Sequence, residues 1–222
     1  MAFSTEEEET LDTLKRWWNE SGKSLALGVI VFAVGYMGWA QWQRMQNSES
    51  AAASDLYEQL GTTVVLGPGV QLTDDALASA RRLIAQLKEE HGDSVYALYG
   101  ALFGARLAVD DRDLDTAERE LQWLLDNART GYFSSTDESL LITARLRLAR
   151  VILAKEEAQR ALDLLASFSP GAFEAEYAEI QGDAFYALGR MTEARASYEQ
   201  ARQAGSTSES LQMKLDDIAL DS

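Results

Sequence analysis

The sequence predicts an all-α chain: a single N-terminal membrane-crossing helix followed by a solenoid of helix pairs. Three observations carry this. Twenty uncharged residues run from Ser24 to Gln43, closed by Lys23 and Arg44. The 222 residues hold only two prolines, so almost nothing interrupts helices. Beyond residue 100, small and large side chains recur in one order at a long period.

The first element divides the N-terminal part into a tail, residues 1–23, and a transmembrane helix, residues 24–43. A helix rises about 1.5 Å per residue, so about 20 residues match a hydrocarbon core of about 30 Å. A core helix would place polar residues at every third or fourth position; here Ser24, Gln41 and Gln43 lie only at the ends. A cleaved signal has a shorter apolar region with a small-residue site just after it. The Ala51-Ala52-Ala53 run lies well beyond Trp42. Trp17 and Trp18 on one side and Trp39 and Trp42 on the other suit the two membrane–water interfaces, with Lys23 and Arg44 as charged stops. Gly28, Gly35 and Gly38 form no GxxxG pair and read as ordinary residues of a span. Lys15, Arg16 and Lys23 precede the span and only Arg44 closely follows it, which predicts a cytoplasmic tail and an exported C-terminal part.

That C-terminal part, residues 44–222, carries 17 basic and 30 acidic residues, a net charge of −13. Such a surface repels nucleic acid and anionic lipid. Cysteine is absent, which removes disulfides and thiolate metal sites but is compatible with an oxidising compartment. "AAASDLYEQL" and "DDALASARRLIAQLKEE" read as a first helix pair joined by the loop "GTTVVLGPGV", which lacks the Gly-Lys-Ser/Thr ending of a phosphate loop. The clearest repeat is "AEIQGDAFYALGRMTEARASYEQA", residues 178–201. Its Gly182, Phe185, Gly189, Ala194, Tyr198 and Ala201 occupy the small and aromatic positions of a tetratricopeptide repeat, in which small residues let two helices cross closely. The pattern recurs at Ala149, Ile152, Ala161, Leu165 and Phe168, and at Ala105, Ala108, Ala117, Leu121 and Leu124. Ala161 and Ala194 are 33 residues apart, but Ala117 and Ala161 are 44 apart, so "ARTGYFSSTDE" is an insertion whose Gly131, Ser134 and Ser135 mark a loop. "SESLQMKLDDIAL" places Leu211, Leu215 and Ile218 at helical spacing, as a terminal cap would.

Catalytic chemistry has no local signature. His91 stands at a helix end, where a cation is favoured by the dipole. "DDRDLD", residues 110–115, has Thr116 and Gln122 where a calcium loop needs glycine and glutamate, and reads as a turn between two helices. The expectation is therefore a binding protein without cofactor, metal or enzyme activity.

"LDTLKRWWNESGKSLALGV", residues 11–29, "GWAQW", residues 38–42, "LRLARV", residues 146–151, and "MKLDDIA", residues 213–219, together resemble the ancillary SecYEG translocon subunits of the YfgM type. The resemblance implies a single-pass protein of the bacterial inner membrane, with a periplasmic tetratricopeptide-like domain associated with the SecYEG translocon and with the periplasmic chaperone PpiD. A related fold occurs in the cell-division coordinator CpoB, against which the anchor counts. Two roles follow: a scaffold that recruits the chaperone and holds unfolded secretory clients as they emerge, or a structural assembly factor that binds no client. In tetratricopeptide solenoids the first helix of each pair lines the concave surface. By repeat position this surface comprises Tyr99, Leu102 and Arg106, then Leu146, Arg150 and Leu153, then Glu176, Glu179, Asp183 and Tyr186, with some of these residues alternatively packing against neighbouring repeats.

Overall fold

A computed structural model describes residues 23–64, 72–128 and 136–220. Side chains within 23–30, 42–49 and 219–220 lie outside that description, as do the tail with Trp17 and Trp18 and the insertion residues Gly131, Tyr132, Phe133, Ser134 and Ser135. Every regular element among the described residues is helical: α1 (Lys23–Thr63), α2 (Asp74–Glu90), α3 (Val95–Asp110), α4 (Leu114–Asn127), α5 (Glu138–Ala154), α6 (Ala158–Leu165), α7 (Glu174–Ala187), α8 (Met191–Gln203) and α9 (Glu209–Leu220), with one 3-10 turn at Gly171–Phe173. The chain forms two compact units, Met1–Ala52 and Ala53–Ser222.

In the first unit, every described side chain from Val31 to Trp39 is exposed, among them Val31, Phe32, Val34, Tyr36, Met37 and Trp39, and the Tyr36 and Trp39 rings lie 6.0 Å apart. Among the described residues no helix is long and apolar enough to cross a membrane. Of the expected span 24–43, only residues 31–41 have described side chains, fewer than the about 20 that a bilayer requires. Where an expected loop begins at Gly61, α1 instead continues to Thr63, with the hydroxyls of Thr62 and Thr63 donating to the Gln59 carbonyl.

The second unit is built from helix pairs whose ends are chemically specified. Thr73, Ser94, Asp113 and Asp137 each stand before a helix and accept a hydrogen bond from a backbone N–H of its first turn, which satisfies groups the helix itself leaves unpaired. Three pairs close with the same turn. Arg112, Glu156 and Gly189 adopt φ of 61°, 66° and 72°, and the next N–H returns to a carbonyl five residues back: Asp113 to Ala108, Glu157 to Ile152, Arg190 to Phe185. These turns repeat at 44 and then 33 residues, the spacings of Ala117, Ala161 and Ala194. All three alanines are fully buried.

The small residues do what the repeat pattern requires. A Cβ on Gly182 would lie 2.4 Å from the Tyr198 ring, so only glycine admits this tyrosine between α7 and α8. Tyr198 is itself buried, together with Ala178, Ala194 and Ala201, and Leu211 and Ile218 of α9 complete that cluster. Successive helices pack along the chain from α2 to α9. The two later repeats also touch through their first helices, α5 against α7, whereas α3 and α5 form no extended contact.

Candidate functional site

The gap between α3 and α5 is a groove of about 540 Å³. Its α3 wall is Leu102, Ala105, Arg106 and Val109, and its α5 wall is Arg147, Arg150, Val151 and Ala154. Each set falls at spacings of three and four along its helix, hence on one face. Leu114 and Leu121 of α4 complete the apolar lining. The wider 44-residue repeat spacing falls at this same boundary, which explains why the first helices stand apart here and not between α5 and α7.

Three cations line this groove. The Arg106 guanidinium is 3.8 Å from Asp110, and both side chains are more than half exposed, so the pair is weak. Arg147 has no ion-pair partner among the described residues. Arg150 donates to Glu176 of α7 at 2.6 Å. The rear of the solenoid differs: Lys155 bonds Asp115 at 2.6 Å and Glu118 at 2.7 Å, and Arg160 also reaches Glu118. The Arg160 hydrogen bond, followed by that of Lys155, holds the Glu118 carboxyl below the usual glutamate range. Those contacts tie α4 to the next repeat.

The expected binding surface is thus divided. Leu102, Arg106 and Arg150 meet in the α3–α5 groove, with Glu176 at its edge through Arg150. Leu153, Asp183 and Tyr186 line a second cleft with Tyr198, Lys214 and Asp217. Tyr99 sits beside the Tyr57 ring at 6.1 Å. Leu146 is 0% exposed, packed among Ile142, Ala149, Leu165 and Ile180, and its place on an open surface is corrected to the core. Glu179 is half-buried rather than open: Lys214 of the terminal helix donates to it at 2.9 Å and to Asp183 at 2.9 Å. Burial opposes the charge of Lys214, but the hydrogen bonds to Asp183 and Glu179 outweigh it and raise its pKa. Tyr198 also donates to Asp183 at 2.7 Å. Arg147 was missing from the expected surface, although its position three residues before Arg150 places both on one face. Of the expected interface anchors Trp17, Trp18, Lys23, Trp39, Trp42 and Arg44, only the Trp39 side chain is described, and it is 54% exposed.

The tetratricopeptide repeat-like domain family matches residues 15–220. The chain is 32% identical to the ancillary SecYEG translocon subunit of Haemophilus influenzae over 97% of its own length and 98% of that protein. It is 29% identical to the protein of the same description from Escherichia coli, over 99% of this chain and 100% of that one. A relative from Neisseria gonorrhoeae, again described as an ancillary SecYEG translocon subunit, is 28% identical over 98% of this chain and 100% of its own. No solved structure gives a significant match. A repeat-like domain over nearly the whole chain and end-to-end similarity to these proteins lead to one conclusion: the chain belongs to the family of ancillary SecYEG translocon subunits, with a tetratricopeptide repeat-like fold.

Proposed function

We propose that this protein is an adaptor of the SecYEG translocon in the bacterial inner membrane. A single span at residues 24–43 anchors it, its tail is cytoplasmic, and residues 44–222 form a periplasmic solenoid that recruits a PpiD-type chaperone and assists newly translocated proteins. The observation that carries this reading is the end-to-end similarity to proteins described as ancillary subunits of that channel. Two features support it. The exposed apolar run from Val31 to Trp39 is costly in water and natural in lipid. The solenoid leaves an arginine-lined apolar groove open between α3 and α5, where the first helices of two successive repeats stand apart. Anchoring a weak binder beside its partner raises effective concentration, with avidity gains of about 10²–10⁴ when both contacts engage together.

The test is affinity purification of the full-length protein from membranes in mild detergent. Co-isolation of SecYEG together with a PpiD-type chaperone is expected, and a form starting near Gln46 should recover about tenfold less of both. Failure of the full-length protein to recover SecYEG overturns the reading. Crosslinks to nascent exported chains separate a client-holding scaffold from an assembly factor that binds no client.

A further inference from the structure

The α3–α5 groove has a chemistry opposite to that of the molecule around it. The chain has a net charge of −16, yet Arg106, Arg147 and Arg150 line an apolar trough formed by residues such as Leu102, Val109 and Leu121. Elsewhere in the solenoid Lys88, Lys155, Arg160 and Lys214 sit against carboxylates at ion-pair distance. In the groove only Arg150 does so closely, through Glu176; Arg106 reaches Asp110 at 3.8 Å, and Arg147 has no such partner among the described residues. Guanidinium is the side chain suited to two-pronged recognition of carboxylate, and an apolar trough beneath it supplies the burial that a purely ionic surface contact lacks.

We propose that this groove binds a polypeptide segment of a partner protein in which leucine or phenylalanine side chains alternate with glutamate or aspartate. The apolar side chains fill the trough, and the carboxylates meet Arg147 and Arg106 at its edge. This deepens the adaptor reading and rests on the groove being the solenoid's partner-binding surface. A basic segment is disfavoured by the three arginines, and a purely polar one leaves the apolar trough uncovered. Opposite charge also speeds encounter against an otherwise repulsive acidic surface, so binding should weaken with salt over a screening length of about 8 Å at physiological ionic strength.

The experiment uses the full-length protein in detergent micelles and the fluorescent peptide EELFELEE, read by anisotropy. Its counterparts KKLFKLKK and EESSESEE, together with phosphatidylglycerol as competitor, discriminate other occupants. EELFELEE should bind at least about tenfold tighter than either counterpart, and the Arg106→Glu/Arg147→Glu double variant should lose about tenfold or more of that affinity. Arg147→Gln alone, made at an exposed side chain without an ion-pair partner among the described residues, should lose about threefold with unchanged helical circular dichroism, and keeps the test decisive if the double variant unfolds. Arg202→Glu, at an exposed position on α8 outside the groove, should bind as wild type does. Equal binding of KKLFKLKK, unchanged affinity in Arg147→Gln, or displacement by phosphatidylglycerol as strong as by unlabelled peptide overturns the proposal. Peptide binding that follows the arginines while full-length wild type recovers no SecYEG preserves the groove chemistry and removes the channel; recovery of SecYEG with no arginine-dependent peptide binding does the reverse.

Discussion

Two regions of the repeat array handle charge in opposite ways. Between α7 and α9, Lys214 lies between Glu179 and Asp183, Asp183 also accepts from the Tyr198 hydroxyl, and the Tyr198 ring fills the space Gly182 leaves. Between α3 and α5, arginines line an apolar groove with little to neutralise them. A solenoid must close its last repeat, because an unstacked apolar face would otherwise remain in water. The α7–α9 end shows that closure carried out with packing and ion pairs together. In the α3–α5 groove the two helices stand apart and, among the described residues, Arg150 alone is closely paired, through Glu176, so the same building rules leave a surface available for another protein.

The largest expected effect falls at the closed end. Gly182→Val places a branched side chain where even a Cβ meets the buried Tyr198 ring at 2.4 Å. Overpacking of this kind costs about 3 kcal/mol, or a fall of about 6–12 °C in the melting temperature of a chain this size. Thermal melting followed by circular dichroism measures it. A variant melting with wild type would mean that Tyr198 has room to move, and the closed end would not be closed.

That contact was legible in the sequence, because the pairing of a small residue on one helix with an aromatic on the next is set by spacing within a single repeat. Gly182, Tyr198, Ala161 and Ala194 all stand where the period places them. The terminal helix was legible too, from Leu211, Leu215 and Ile218 at one-face spacing. The groove was legible only in part. Arg106 and Arg150 follow from repeat position, and Arg147 is recoverable from its spacing to Arg150. The burial of Leu146 is not, since it depends on how α5 rests against α7. Glu179 and Asp183 look like open groove residues until α9, more than 20 residues downstream, brings Lys214 onto them. Local rules set which residues touch within a pair; the stacking of pairs decides which face stays open.

A smaller effect sharpens the contrast between the closed end and the groove. Lys214→Ala leaves Glu179 and Asp183 facing each other without their cation, in a partly buried setting, and should cost about 1–2 kcal/mol. Arg147→Ala removes an exposed cation with no ion-pair partner among the described residues and should change stability by less than about 0.5 kcal/mol. Denaturant melts of the two variants should therefore separate clearly. Equal losses would mean that Arg147 is a structural residue and that the groove is part of the scaffold.

The most direct measurement of the central claim, that the α3–α5 groove is where this translocon-family solenoid meets its partner, is photocrosslinking in living cells. A benzophenone amino acid is placed at position 147 in the groove or at position 213, where Met213 is exposed on the closing helix. Illumination should give discrete adducts from position 147, with a partner co-purifying with SecYEG, and few or none from position 213. Adducts from position 213 with none from position 147 would contradict it, placing the partner on the closing helix and leaving the groove without a role in binding.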